Sequence, residues 1–188
     1  MIPGNQSLLS RLQATAVLNR SGVVAYPTEA VWGLGCDPFS EPAVERILAM
    51  KRRRRGMGLI LIAADIQQFH PFLSGLSLKQ LAVLKETWPG PQTWLIPSNG
   101  VAPPWITGGR DTLALRVTDH PVAASLCRAF GGPLVSTSAN PHGFPPAKTP
   151  LKVNLYFRAQ LDYLVPGSLG RHDKPTPIKH LITGQVLR

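Results

Sequence analysis

Five consecutive cations, Lys51 to Arg55, stand in "AMKRRRRGMGLILIAAD" (49–65) between a helix-like stretch and an aliphatic run. On a helix continuing through this run, Lys51 and Arg55 fall on one side and Arg52 on another, so the five cannot all serve one ligand. The run reads either as a strip for a polyanion or as one or two placed charges among cations that favour a helix C-terminus. A second stretch, "PLVSTSAN" (133–140), sets Ser136, Thr137, Ser138 and Asn140 directly after apolar residues. On a strand, Ser136 and Ser138 point to one face and Thr137 to the other. Hydroxyls and an amide at a strand end make a neutral donor set for phosphate or carboxylate oxygens, or else an ordinary Ser/Thr turn.

Two further stretches carry polar groups where a sheet would end. "DTLALRVTDHP" (111–121) alternates, with Leu113 and Leu115 on one face and Thr112, Ala114 and Arg116 on the other. An arginine in such a strand is expensive to bury without an anion, and both a structural and a substrate carboxylate would serve. "VVAYPTEAVWGLGCD" (23–37) leaves Thr28 and Glu29 at a strand's exit ahead of Gly33 and Gly35, where backbone can approach a ligand closely, or where the chain merely turns.

What is missing narrows the chemistry. There is no GxxxxGK[ST] phosphate loop, and "GLG" alone is not a dinucleotide fingerprint. Cys36 and Cys127 lie far apart without metal-ligand spacing, which predicts buried thiols in a reducing compartment. None of the five histidines is spaced to suggest a hydrolytic triad. The N-terminus lacks the pattern of a signal peptide and no run is long and apolar enough to span a membrane, so the cytoplasm is the expected location. Net charge is +10, and the excess lies in residues 51–55, with five bases and no acid, and 128–188, with eight bases and two acids. Such a balance favours polyanionic partners, either nucleic acid or a phosphorylated small molecule.

These groups need a scaffold, and the pattern supplies an α/β one. Helical periodicity covers 5–20, 41–54, 77–87 and 120–130, the last with Asp119 as expected N-cap. Strands are expected at "VVAYP", "LILIA", "TWLIP", "TLALRV", "PLVSTS", "YLVP" and "IKHLITG". Interleaved helices and strands over 188 residues predict one domain with a mixed sheet, with Pro/Gly-rich loops at 98–111 and 141–150. Trp88, in the rigid "WPGP" turn, reads as a core residue.

Taken in order, "AYPTEAVWGLGCD", the Lys-x-Arg of Lys51 and Arg53 before an aliphatic strand, "WPGPQTWLIP", "LALRVTDHPVA", "PLVSTSAN" and "PTPIKHLITG" resemble the YrdC family along nearly the whole chain. The resemblance implies a twisted, open mixed sheet with flanking helices and a concave basic cleft. It also implies a reaction, in which L-threonine, bicarbonate and ATP give threonylcarbamoyl-adenylate and pyrophosphate, with Mg²⁺ on the phosphates. Downstream threonylcarbamoyl-transferase proteins would then use the product to modify tRNA. The family's Lys-x-Arg and Ser-x-Asn tetrad falls on Lys51, Arg53, Ser138 and Asn140, implied to be catalytic. Lys51, Arg53, Thr112 and Ser138 would face ATP. Thr28, Arg116, Ser136 and Thr176 would face threonine, with Arg116 on its carboxylate. Where the family usually has proline after Lys-x-Arg this chain has Arg54, and "RGMGL" lacks the Lys or Asn and the Pro common before the strand. The chain end at Arg188 implies a stand-alone domain over 1–188.

Attack of a carbamate oxygen on an α-phosphate needs positioning and charge neutralisation more than a protein nucleophile, so this inventory suffices without a catalytic His or Cys. The alternative from a different class is a non-catalytic RNA-binding module, suggested by the two basic zones. A third reading is a domain acting on another carbamoyl group, as in hydrogenase maturation.

Overall fold

The computed structural model describes residues 7–172 and 176–187. Its strands are β1 (Val24–Pro27), β2 (Trp32–Gly35), β3 (Ile60–Ala63), β4 (Thr93–Pro97), β5 (Thr112–Val117), β6 (Leu134–Ser138), β7 (Tyr163–Leu164) and β8 (Ile178–His180). They form one mixed sheet in the order β7-β1-β2-β6-β3-β5-β4-β8. The pairs β1/β7, β3/β5 and β4/β8 are parallel and the other neighbours antiparallel.

Every α-helix but the short fourth one begins where a side chain caps it. Ser7 starts α1 (Leu8–Asn19), Ser40 starts α2 (Glu41–Lys51), and Ser77 with Gln80 closes a capping box on α3 (Leu78–Thr87). A short α4 (Pro104–Thr107) follows, then α5 (Pro121–Phe130) and α6 (Pro150–Phe157), with proline in the first turn of all three.

The two faces of the sheet are covered unequally. On one face Val44, Ile47 and Leu48 of α2 pack with Leu34, Leu61, Leu115 and Val135, extended by Phe69, Phe72 and Trp88. On the other, α1 and α5 cover Val24, Tyr26, Ile62 and Leu134, using Ala14, Leu18, Ala123 and Leu126 among others. The rest of that face carries the cleft described below.

Several expectations are revised. α2 stops at Lys51 rather than continuing to 54, because Arg52 turns into the left-handed region at φ 51°. The cation run therefore leaves the helix after its first member, and Arg55 begins a separate 3-10 turn, Arg55–Met57. The cap of α5 is His120, whose ring nitrogen accepts from Ala123 N, rather than Asp119. "WGLG" is a strand, not only a glycine turn. A Cβ at Gly35 would lie 2.7 Å from both the Tyr26 ring and the Val135 carbonyl oxygen, so only glycine lets β2 pass between them. α4 and α6 occupy parts of segments read as loops, and only the first three residues of "IKHLITG" are strand. Cys36 and Cys127 are free, buried thiols, and burial pushes the Cys127 thiol up to about 12. No helix among the described residues is long and apolar enough to cross a membrane.

Candidate functional site

The uncovered sheet face forms a cleft of about 460 Å³. Its floor follows from strand alternation and register. Ala114 of β5 pairs with Ile60 of β3, and Ile60 with Ser136 of β6, making one row across the sheet. Arg116, Ile62 and Leu134 form the next row, at the boundary with the α1–α5 layer. Thr112, Ala114 and Arg116 line the cleft while Leu113 and Leu115 lie in the opposite core, as their alternation predicts. Gly33 pairs with Ser138 and also lines the cleft, so its β2 partner places no side chain across from that residue.

Arg116 is held by a structural carboxylate. Its Nη2 donates to Glu29 Oε2 at 2.8 Å, and Thr118 Oγ1 donates to Glu29 Oε1 at 2.5 Å. The two charged side chains are 7% and 4% exposed. Burial pushes the Glu29 carboxyl up, but the Arg116 charge and the Thr118 hydroxyl outweigh it and hold the group below the usual carboxylate range. The guanidinium has five N–H donors and lines the cleft, so an external carboxylate can share it with Glu29. Of the two open readings for Arg116, the structural one is observed and the substrate one is compatible with it.

The segment after β7 helps to hold this end. Gly170 N donates to Thr28 O at 2.9 Å and His172 N to Glu29 O at 3.1 Å. A Cβ at Gly170 would come within 2.8 Å of the Glu29 backbone, so the close approach requires glycine. His120 bridges to the same segment, with Nε2 donating to Ser168 O at 3.1 Å while Nδ1 caps α5. That pair of roles needs the neutral ring, and burial holds the His120 pKa below its ordinary value. Thr28 donates to Val31 O at 2.7 Å, and Thr176 meets Thr93 hydroxyl to hydroxyl at 3.3 Å. Thr28, Arg116, Ser136 and Thr176 therefore all line one cleft.

Three of the Lys-x-Arg and Ser-x-Asn residues form a network. Lys51 Nζ donates to Ser138 O, to Asn140 O at 2.8 Å and to Asn140 Oδ1 at 3.4 Å. Ser138 Oγ donates to the same Oδ1 at 2.6 Å, and His142 N donates back to Lys51 O at 2.8 Å. The end of α2 and the turn after β6 are thus joined in both directions. Lys51 is 5% exposed, and burial, aided by the Arg53 charge, lowers its pKa to about 8. Lys51 and Asn140 lie behind Ser138 and outside the cleft lining, whereas Arg53, Thr112 and Ser138 line it. Arg53 Nη2 donates to Gly58 O at 2.8 Å and to Met57 O at 3.2 Å, which aims the guanidinium at the turn where the family pattern departs.

Arg110, Thr93 and the Glu29 partnership were not assigned from sequence. Arg110 lines the cleft at its mouth, and its only sequence signal is a charge after "GG" in a Pro/Gly-rich loop. No group of His, Cys, Asp or Glu among the described residues could hold a metal ion.

Comparisons with known proteins give the family and the fold. The profile of the Sua5/YciO/YrdC family, described as "Telomere recombination", matches residues 16–188. The chain is 58% identical over 175 residues to a threonylcarbamoyl-AMP synthase of Cellvibrio japonicus (strain Ueda107), covering 93% of each chain. It is 53% identical over 186 residues to one of Halorhodospira halophila (strain DSM 244 / SL1), covering 99% of this chain and 97% of that one. The crystal structure of P. abyssi Sua5 complexed with L-threonine superposes with a TM-score of 0.87 at 30% identity, over 95% of this chain and 53% of that chain. This chain thus spans about half of the Sua5 it matches.

Proposed function

Because the chain belongs to the Sua5/YciO/YrdC family, we propose that it is a threonylcarbamoyl-AMP synthase, a nucleotidyltransferase that joins L-threonine, bicarbonate and ATP. The single observation that carries the reading is a cleft with a carboxylate-binding cation, Arg116, at its deep end and Arg53 with Ser138 and Thr112 toward its mouth.

Arg116 takes the threonine carboxylate on the N–H groups that Glu29 leaves available, a bidentate geometry suited to guanidinium. Thr28, Ser136 and Thr176 surround the amino acid with hydroxyls. The threonine amine and bicarbonate give a carbamate with loss of water. A carbamate oxygen then bonds to the α-phosphorus of ATP, and the bond to the β-phosphate oxygen breaks, so that pyrophosphate leaves with the electron pair. Arg53, Thr112 and Ser138 hold the nucleotide phosphates, and Lys51 and Asn140 fix Ser138 from behind. Glu29, the carboxylate beside the anchor, is committed to Arg116 and Thr118, so Mg²⁺ would arrive on ATP rather than on a protein cage. When bound it would neutralise phosphate charge.

The product is a mixed anhydride, which downstream threonylcarbamoyl-transferase proteins would consume in modifying tRNA in the cytoplasm. Exposed Arg52 and Arg54 would add a weak, salt-dependent attraction for tRNA. Pyrophosphate release should require ATP, threonine and bicarbonate together. Release that proceeds without threonine, or none from folded protein with all three present, rejects the synthase.

A further inference from the structure

We infer that Arg110 is a binding residue for the β- and γ-phosphates of ATP and for the departing pyrophosphate. The inference rests on the proposed reaction and extends it to a residue that no motif marks.

In-line displacement puts the attacking and leaving oxygens on opposite sides of phosphorus. With threonine anchored on Arg116, pyrophosphate must leave toward the other end of the cleft. β5 measures that direction, since the four-residue step from Arg116 back to Thr112 spans roughly 13 Å of strand. Arg110 lies two residues further out, exposed, at the mouth of the same cleft.

The local backbone brings Arg110 beside Arg53. Arg110 Nη2 points at Gly56 O from 3.4 Å, while Arg53 Nη2 holds Gly58 O and Met57 O of the same turn. That turn rests on the end of α4. Gly108 has φ 67°, and a Cβ there would fall 2.6 Å from Gly58 N, so the approach requires glycine. Two guanidiniums therefore donate to carbonyls of one turn, and a bound polyanion would offset their like charge. The 3.4 Å contact of Arg110 is long, and a phosphate oxygen would replace it with a shorter, charge-assisted bond. No ion pair involves Arg110 among the described residues. By contrast Arg116 is matched by Glu29, and Arg55 pairs with Glu45 at 2.9 Å.

The test is calorimetric titration of wild type, R110A, R110K and R52A with pyrophosphate, ATP, AMP and L-threonine in turn. Losing one charge-assisted bond should weaken pyrophosphate and ATP by about tenfold or more in R110A, with R110K between it and wild type. AMP lacks both outer phosphates and threonine sits at the far end, so their affinities should stay unchanged. R52A, an exposed cation outside the cleft, should titrate as wild type. Equal pyrophosphate affinity in wild type and R110A overturns the inference, as does an equal loss for AMP or an equal effect in R52A. Turnover by wild type is a separate arm: active wild type with an unaffected R110A removes Arg110 and leaves the synthase reading standing, whereas inactive wild type removes that reading.

Discussion

Glu29 and Arg116 meet through a 2.8 Å contact between two side chains that are almost fully buried at the deep end of the cleft. The pair is 87 residues apart in sequence and both partners border the space where an amino-acid carboxylate would bind. Glu29 therefore keeps the cation proposed to bind the substrate carboxylate inside the protein without a substrate. Removing it in Glu29→Ala leaves a buried guanidinium uncompensated and should lower stability by about 3 kcal/mol. Threonine should raise the melting temperature of this variant more than that of wild type, because its carboxylate supplies the missing charge. Thermal shift with and without threonine reads both effects, and an equal ligand shift in the two proteins would place the threonine carboxylate elsewhere.

Lys51 predicts a pH dependence with a definite sign. Its ammonium is held by two backbone carbonyls and the Asn140 amide, and its pKa is lowered to about 8, so the charge is present below that value and lost above it. The neutral amine has fewer donors for the turn that carries Ser138. The rate at limiting ATP should therefore fall as pH rises through about 8, and Lys51→Arg, whose charge persists, should move that falling limb upward. A limb that stays in place in Lys51→Arg would assign it to another group. Folding shows the opposite trend. The lowered pKa means that the unfolded chain binds the proton more tightly, so this group favours folding more as pH rises from its folded value toward the ordinary lysine range.

The arginine run should divide in mutagenesis. Arg53→Ala removes a cleft guanidinium and should cost about 10²-fold in kcat/KM, on the scale of one lost transition-state donor. Arg52→Ala and Arg55→Ala should cost little, since Arg52 is exposed outside the cleft and the exposed Arg55 pairs, among the described residues, with Glu41 and Glu45. Steady-state kinetics of the single variants checks this, and equal losses at all three would mean that the run acts as one electrostatic strip.

His120 makes the fold sensitive to acid. Its pKa is held below the ordinary histidine value, so the unfolded chain takes up a proton first as pH falls below that value, and stability contributed by the neutral ring is lost. His120→Asn keeps an acceptor for the α5 cap and removes the titration. Denaturant midpoints measured from neutral to mildly acidic pH should decline more steeply in wild type than in the variant. Parallel curves would mean that the ring does not govern that limb.

Much of this architecture was legible because it depends on local patterns. The alternation of "TLALRV" placed Thr112, Ala114 and Arg116 on the cleft face, whereas Ser136, Thr137 and Ser138 all line it, so alternation alone did not sort the end of β6. "WGLG" escaped because strand signals rely on side chains, whereas β2 exists through the absence of them: its glycines let it pass the Tyr26 ring. The helix boundary at Lys51 escaped because a left-handed arginine is set by the tertiary fit of the turn and not by arginine's own preference. The partner of Arg116 could not be chosen from sequence, because nothing local joins position 29 to position 116. Sheet order does so, by running β3 beside β5 and returning the chain from β7 along Thr28 and Glu29. Arg110 was hidden for a similar reason, since its relation to Arg53 passes through the contact of Gly108 with Gly58.

The most direct measurement of the central claim is the mass of the product formed from ATP, L-threonine and isotopically labelled bicarbonate. The account predicts a threonylcarbamoyl-adenylate that carries the label, forms in step with pyrophosphate, and is lost in Arg116→Ala with nucleotide binding retained. An adenylate without the label, or ATP turnover indifferent to threonine, would contradict it.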